Sequence, residues 1–244
     1  MKVFACFQAT FMQRTLDQIF HDIYYPQIPI TIVSAQSGFS GYDGATHHGI
    51  YDFGFLRTLP NIKVFYAGTK RDLRAILEER YDSVTGPMII LHPYELISPA
   101  QKEYLPQQST PLDLMECLCP GSDGVIIAAG NRLTDAVNLK VKLLENQKQN
   151  YAVYNLRWTN PLPVESLRKI LSEYEKVVTL EEGVRSGGIG CAINDFVRSE
   201  KLDCQIFVNA IDDGFLPAGD KKELSELAGL DVDSILNNLE KFLG

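Results

Sequence analysis

Short β-branched or aromatic runs alternate along this chain with stretches of helical periodicity, and few folds accept that pattern. Parallel strands need crossover helices between them, so the alternation predicts an α/β protein with mainly parallel sheets. Met1 to Phe7 reads as a strand, and the sequence opens directly on it with no leader expected. Thr10 to Tyr24 carries Phe11, Leu16, Ile19, Phe20 and Ile23 at helical spacing. Strand character returns at Ile28–Val33, Asn61–Tyr66 and Pro87–Leu91, with a helix over Thr69–Tyr81 that Thr69 could cap. Residues 92–121 then hold five of the twelve prolines and read as a partly extended linker. Beyond it a second unit begins, with strands at Gly124–Gly130, Tyr151–Leu156, Lys176–Leu180 and Gln205–Asn209. Helices are expected over Leu133–Glu145, Pro161–Tyr174, from Gly187 to about Arg198, and in the tail from Lys221, broken near Gly229. Two three-layer αβα domains are therefore expected, over residues 1–100 and 122–244, joined by 101–121.

Composition removes several functional classes. The chain has 244 residues and a formal net charge of −8. Its basic residues are scattered and outnumbered, whereas phosphate-backbone binding needs clustered Lys and Arg, so nucleic acid is not expected as a partner. No apolar run approaches the ~20 residues that span a bilayer, and no basic region precedes a cleavage site. Membrane insertion and secretion are not expected, and a cytoplasmic location is. Five cysteines, at 6, 117, 119, 191 and 204, suit reduced thiols better than a disulfide framework, and Cys117-Leu-Cys119 lacks the spacer of zinc or redox motifs.

Two stretches could carry chemistry. Ser37 to Gly49 follows a strand and packs four glycines in thirteen residues together with Asp43, Thr46, His47 and His48. Such a loop lets backbone approach a ligand and supplies a proton carrier, but turn chemistry favours the same residues, so a polar turn stays open as an alternative. Glu181-Glu-Gly-Val-Arg-Ser-Gly-Gly-Ile-Gly190 again runs strand, glycines, helix. It lacks the spacing of a phosphate or dinucleotide loop, and a structural turn with glycine against a neighbouring backbone is the favoured reading. Arg14 and Arg57 could salt-bridge or reach a site, and Trp158 reads as packing. His21 and His92 show no partner at metal-ligand spacing, so no metal site is expected.

Phe11-Met-Gln-Arg-Thr-Leu-Asp-Gln18, Gly41-Tyr-Asp-Gly-Ala-Thr-His-His-Gly49 with Asp52, the Thr179-Leu-Glu-Glu block with Gly187-Gly-Ile-Gly190, and Asp213-Gly-Phe-Leu-Pro217 through Gly229-Leu-Asp231 occur in this order. Together they resemble the 1-deoxy-D-xylulose-5-phosphate synthase family of the transketolase superfamily, across essentially the whole chain. The resemblance implies part of a pyrimidine-binding domain followed by a transketolase-type C-terminal domain. Family members are homodimers that use thiamine diphosphate and Mg²⁺ to join pyruvate to glyceraldehyde 3-phosphate with loss of CO₂, a step serving isoprenoid and thiamine synthesis. By resemblance Phe11 and Arg14 are cofactor-binding, with Phe11 stacking on the pyrimidine, and His47 and Asp43 are catalytic.

The resemblance also implies gaps. No Gly-Asp-Gly followed by Asn, the signature that holds Mg²⁺ and diphosphate, is present, and the glutamate that protonates the aminopyrimidine has no counterpart. Only the pyrimidine side of the cofactor could meet this chain, which is not expected to act alone. A homodimer, or a complex with a chain supplying the diphosphate side, is expected. Gln8 stands at a family tyrosine, while Gln36, Leu91 and Tyr94 stand at family arginines, with Glu95 adding an anion. Each lost charged hydrogen bond to a sugar phosphate is worth roughly 1.5–3 kcal/mol. Three readings are open: a component of a split thiamine-dependent transferase, a catalytically inactive structural or regulatory subunit, or a fragment of a longer enzyme.

Overall fold

A computed structural model describes residues 2–60, 62–83, 85–96 and 110–243. Ten strands among them form two five-stranded sheets. The first has the order β1-β2-β4-β3-β8, with β1 Val3–Gln8, β2 Ile30–Ser37, β3 Val64–Tyr66, β4 Met88–Pro93 and β8 Trp158–Asn160. The second has the order β10-β9-β6-β7-β5, with β5 Glu116–Cys119, β6 Gly124–Ala128, β7 Tyr151–Asn155, β9 Lys176–Val184 and β10 Gln205–Ile211. All pairings are parallel except the two at the edges, β3 with β8 and β5 with β7.

The period of two along buried strands sorts the core. Ile126 and Ala128 of β6 face the helices Leu133–Gln147 and Val232–Leu243, while Val125 and Ile127 face Val164–Glu173 and Ile189–Glu200. In β4, Met88 and Ile90 pack on Ile76 of the helix Lys70–Asp82. Its alternate residues Ile89 and Leu91 join the core that also contains Val125, Leu167 and Ile193. One apolar cluster thus runs from the first sheet into the second unit, which holds the two together as one packed body.

Several elements depart from the periodicity. The helical run 9–24 is present but irregular, with a 3₁₀ turn at Gln13–Thr15 and a π-helical stretch at Ile19–Tyr24. Its expected apolar stripe is only partly buried: Ile19 is enclosed, but Phe11 and Phe20 remain exposed. Within the stretch 101–121, residues up to 109 lie outside the described residues and β5 belongs to the second sheet. The strand β8, in a stretch read only as packing around Trp158, crosses back to the first sheet. Its Trp158 ring meets Phe65 edge-on at 5.1 Å and its Nε1 donates to the Leu112 carbonyl at 2.8 Å. The strand from Lys176 continues through Glu181 and Glu182 to Val184, so the two glutamates lie within β9 and not in a turn after it. Thr69 does cap its helix, accepting from the Asp72 amide at 3.0 Å. No helix among the described residues is long and apolar enough to cross a membrane, and all five cysteines are free.

Candidate active site

The loop after β2 begins and ends on one backbone pair. Gly38 donates to the Gly49 carbonyl at 2.9 Å and Gly49 returns the bond at 2.8 Å, so residues 38–49 close into a ring of chain. Gly38 needs its glycine, with φ of +99° and Glu182 Oε1 where a Cβ would stand. Gly49 is equally confined, since a Cβ there would lie 2.6 Å from that of Ala9. The foot of the loop therefore rests on the start of the helical run 9–24. Just before it, Gln36 adopts φ of +63° where the pairing of β2 with β4 shifts register.

Three of the four residues singled out from sequence meet at this junction. The Phe11 ring stands edge-on to His47, centroids 6.1 Å apart at 82°, and the Arg14 guanidinium carbon lies 6.0 Å from the Phe11 centroid. The Thr10 hydroxyl donates to the Thr46 carbonyl at 2.7 Å, which ties the helical run to the loop. His47 Nδ1 lies 3.1 Å from Thr46 Oγ1, leaving Nε2 without a hydrogen-bond partner among the described residues. Phe11 is 44% exposed although it belongs to the apolar periodicity, so its ring presents a face to whatever docks there. Asp43 sits apart, in the exposed turn Gly41–Asp43. Its charge is felt at Tyr94, whose hydroxyl burial and Asp43 together push above the usual tyrosine range. No hydrogen bond or ion pair joins Asp43 to the Phe11–Arg14–His47 group among the described residues.

The second loop histidine has a different part. His48 is buried, its Nδ1 accepting from the Ser40 amide at 3.1 Å and its Nε2 donating to the Pro217 carbonyl at 3.0 Å. That pattern requires the neutral ring protonated on Nε2 and makes His48 a strut between the two units.

Near Tyr94 the charges come from both units. Lys221 Nζ lies 4.2 Å over the Tyr94 ring and pairs with Glu95 at 3.4 Å, so a cation from the second unit occupies this corner. Gln8 ends β1 directly before the helical run, and Leu91 is buried in the core.

Three buried carboxyl groups at the seam of the two units were not picked out as functional from sequence. Glu181 spans the start of the helix Ile189–Glu200, accepting from the Ile189 and Gly190 amides at 2.7 and 2.8 Å. The anion position at that helix start is thus filled by the chain's own carboxylate. Burial pushes Glu181 up to about 7 despite those amides. Glu182, one residue on and on the opposite face of β9, accepts from the Phe39 amide at 2.6 Å and from Asn131 Nδ2 at 2.6 Å, with Arg132 at 3.7 Å. Burial raises its pKa also. Asp52 accepts from Ser37 Oγ at 3.2 Å, has no partner at Oδ1 among the described residues, and is pushed up to about 7 by burial. Arg57 does not reach the site. It donates to the Gly187 and Gly188 carbonyls at 2.7 and 2.6 Å, and Gly187 stands against Gly54, which is the backbone packing expected of that glycine block. The sign that could have revealed Glu182 is the pair of adjacent glutamates in a strand, whose alternate faces must both find donors.

Chemically, the Phe11 group offers an open aromatic face, a cation and an imidazole with one free nitrogen. It suits a flat, electron-poor heterocycle and a proton transfer beside it. Among the described residues no group of three or more His, Cys, Asp or Glu could hold a metal ion, and His21 pairs with Asp17 and lies edge-on to Phe20 on the surface.

Two parallel α/β units, the first with a glycine-rich loop beside an aromatic ring, define the pyrimidine-binding and C-terminal portion of a transketolase fold. The chain belongs to the transketolase family. It matches the transketolase pyrimidine binding domain over residues 1–98 and the transketolase C-terminal domain over residues 114–235. It is 31% identical over 243 residues to the 1-deoxy-D-xylulose-5-phosphate synthase of Carboxydothermus hydrogenoformans, covering 100% of this chain and 38% of that protein. It is 32% identical over 245 residues to that of Lawsonia intracellularis, covering 99% and 38%. The chain thus spans about 38% of the length of these curated relatives. Among solved structures, a split-gene transketolase described as an inactive β4 tetramer superposes with a TM-score of 0.83 at 25% identity, over 98% of this chain and 76% of that one. The transketolase of Campylobacter jejuni gives 0.75 at 15% identity, over 98% and 35%.

Proposed function

We propose that this chain supplies the pyrimidine-side half of a thiamine diphosphate site in a 1-deoxy-D-xylulose-5-phosphate synthase-type transferase, and that it acts only with a chain carrying the diphosphate side. The observation that carries the proposal is the exposed Phe11 ring, bracketed by His47 and Arg14 at the end of an edge strand. The residues present fit the pyrimidine end of the cofactor: Phe11 gives a stacking face, and Arg14 and His47 give polar groups beside it. Diphosphate and Mg²⁺ would be held by the other chain. The chemistry that the bound cofactor supplies is nucleophilic attack on a 2-oxo acid and acceptance of the electron pair released with CO₂. Phe11 orients the ring, and His47 holds or delivers a proton at Nε2 while Thr46 fixes its Nδ1. Asp43 lies on the Tyr94 side of the loop, apart from the Phe11–His47 pair.

The edge strand β1, together with exposed Phe20, Tyr25 and Ile28, gives a surface for a second copy or a partner chain to cover. The split-gene neighbour, 76% of whose chain this one covers, supports an arrangement with the halves on separate chains. A second reading, an inactive structural or regulatory subunit, is favoured by Lys221 being engaged by Tyr94 and Glu95 at a corner where the family places arginine.

The test mixes the purified chain with a chain bearing a transketolase-type diphosphate-binding domain, thiamine diphosphate, Mg²⁺ and pyruvate. CO₂ release from the mixture and none from either chain alone is expected. Decarboxylation by this chain alone would overturn the proposal. A stable complex without turnover would favour the second reading.

A further inference from the structure

We infer that Glu182, in the second unit, is a positioning residue that fastens the loop 38–49 of the first unit and so places His47. The inference rests on the proposed role of His47, but its central claim is mechanical. Inside its own unit the loop is held by the Gly38–Gly49 pair, the Thr10–Thr46 bond, the contact of Ser40 with His48, and two turns of its own, in which the Gly44 amide donates to Gly41 and the His47 amide to Gly44; apart from the Thr10 bond these tie the loop only to itself. The second unit holds it at a succession of points. Glu182 accepts from the Phe39 amide, the Pro217 carbonyl accepts from His48, the Gly219 amide donates to Gly41, and the Val184 amide donates to the Ile50 carbonyl. Beneath these bonds Phe39 and Ile50 are buried against Val184, Ile211, Leu224 and Leu230.

Glu182 differs from the other fastenings in being a buried side chain that reaches across from the second unit. Its bond to the Phe39 amide is short, at 2.6 Å. The carboxylate is itself held from behind by Asn131 Nδ2 at 2.6 Å and by Arg132, which also pairs with Asp135 at 3.0 Å. The residue is buried, and Gly38 gives it room that any Cβ would take away. A buried carboxylate aimed at a single loop amide, backed by two donors on its own unit, is the geometry of a peg. The catalytic loop is therefore set by the C-terminal domain, across 143 positions of sequence.

The test uses the full chain with E182D, E182A and E182Q. Aspartate keeps the carboxyl group but is one methylene too short to reach both Phe39 and Asn131. Glutamine keeps an acceptor for the Phe39 amide, and its own amide can donate to Asn131 Oδ1, which is buried with no partner among the described residues, once the Asn131 amide turns over. Hydrogen exchange of the loop amides should rise roughly tenfold or more in E182D and E182A, with β6, β7 and β9 unchanged, and return close to the native rate in E182Q. In the assembled enzyme kcat should follow the same order. Native exchange in the loop of both E182D and E182A overturns the inference, as does an equal rise throughout the chain or a failure of E182Q to rescue. If E182A does not fold, E182D and E182Q decide the matter. A loosened loop with native kcat overturns the positioning role. Absence of turnover in the assembled native enzyme overturns the proposed function while exchange still judges the fastening.

Discussion

Replacing Asp52 by asparagine should stabilise this protein at neutral and alkaline pH. Asp52 is 1% exposed, receives one hydroxyl bond from Ser37, and leaves Oδ1 without a partner among the described residues. Desolvation dominates there and pushes the carboxyl from 3.8 to about 7. A raised carboxyl pKa means that the folded chain binds the extra proton between about pH 4 and 7. Stability is therefore fullest below the unfolded pKa, falls as pH rises through that window, and levels off above about 7. Each unit is worth about 1.4 kcal/mol, so the shift of about 3 units amounts to about 4 kcal/mol, with about 3 between pH 5 and 8. Asparagine fills the same space, can still bond to Ser37, and does not ionise. The D52N chain should match the native one near pH 4–5 and exceed it by about 3 kcal/mol at pH 8, roughly 6–12 °C in Tm for a chain of this size. Thermal and urea unfolding followed by circular dichroism at several pH values would measure this. Glu181 also titrates near 7 with the same sign, but it is present in both chains and cancels in the difference. An unchanged difference between the two proteins from pH 5 to 8, or a less stable D52N at pH 8, would refute the reasoning.

Three further outcomes follow from the geometry. G130A should destabilise the chain by about 3 kcal/mol or more in denaturant melts, because the residue has φ of +60° and a Cβ would overlap the Tyr66 ring. R57A removes two charged bonds to the Gly187 and Gly188 carbonyls and should lower stability by about 2–4 kcal/mol, with proteolysis showing earlier cutting near the seam of the two units. F11A should lower Tm by only about 4–8 °C, since the ring is 44% exposed and loses about 2 kcal/mol of burial, yet weaken thiamine diphosphate binding by the assembled enzyme roughly tenfold or more in titration calorimetry. A large loss of stability with unchanged cofactor affinity would place Phe11 in the core instead.

Local pattern carried much of the architecture. The β-branched runs with helices between them dictated parallel strands, because a parallel pair cannot be joined by a tight turn, and Gly124 to Ala128 was legible as a strand, which the fold buries on both faces. The glycine spacing and the Phe11, Arg14 and His47 motif marked the loop and the helical run that the fold brings into contact. Chain folding in three dimensions decided the rest. Trp158–Asn160 is too short to stand out in sequence and becomes a strand only because β3 offers it an edge. Phe11 and Ile19 look alike on a helical wheel, but a π-helical stretch and the position at a sheet edge leave one exposed and bury the other. Asp43 and His47 are four positions apart, yet the loop turns them to different neighbours. Glu181 and Glu182 read as an acidic turn, whereas strand pleating sends one to a helix start and the other to an amide 143 positions away. The physical reason is that hydrogen-bond donors for a buried charge come from whichever segment packs beside it, and that neighbour is not written next to it in the chain.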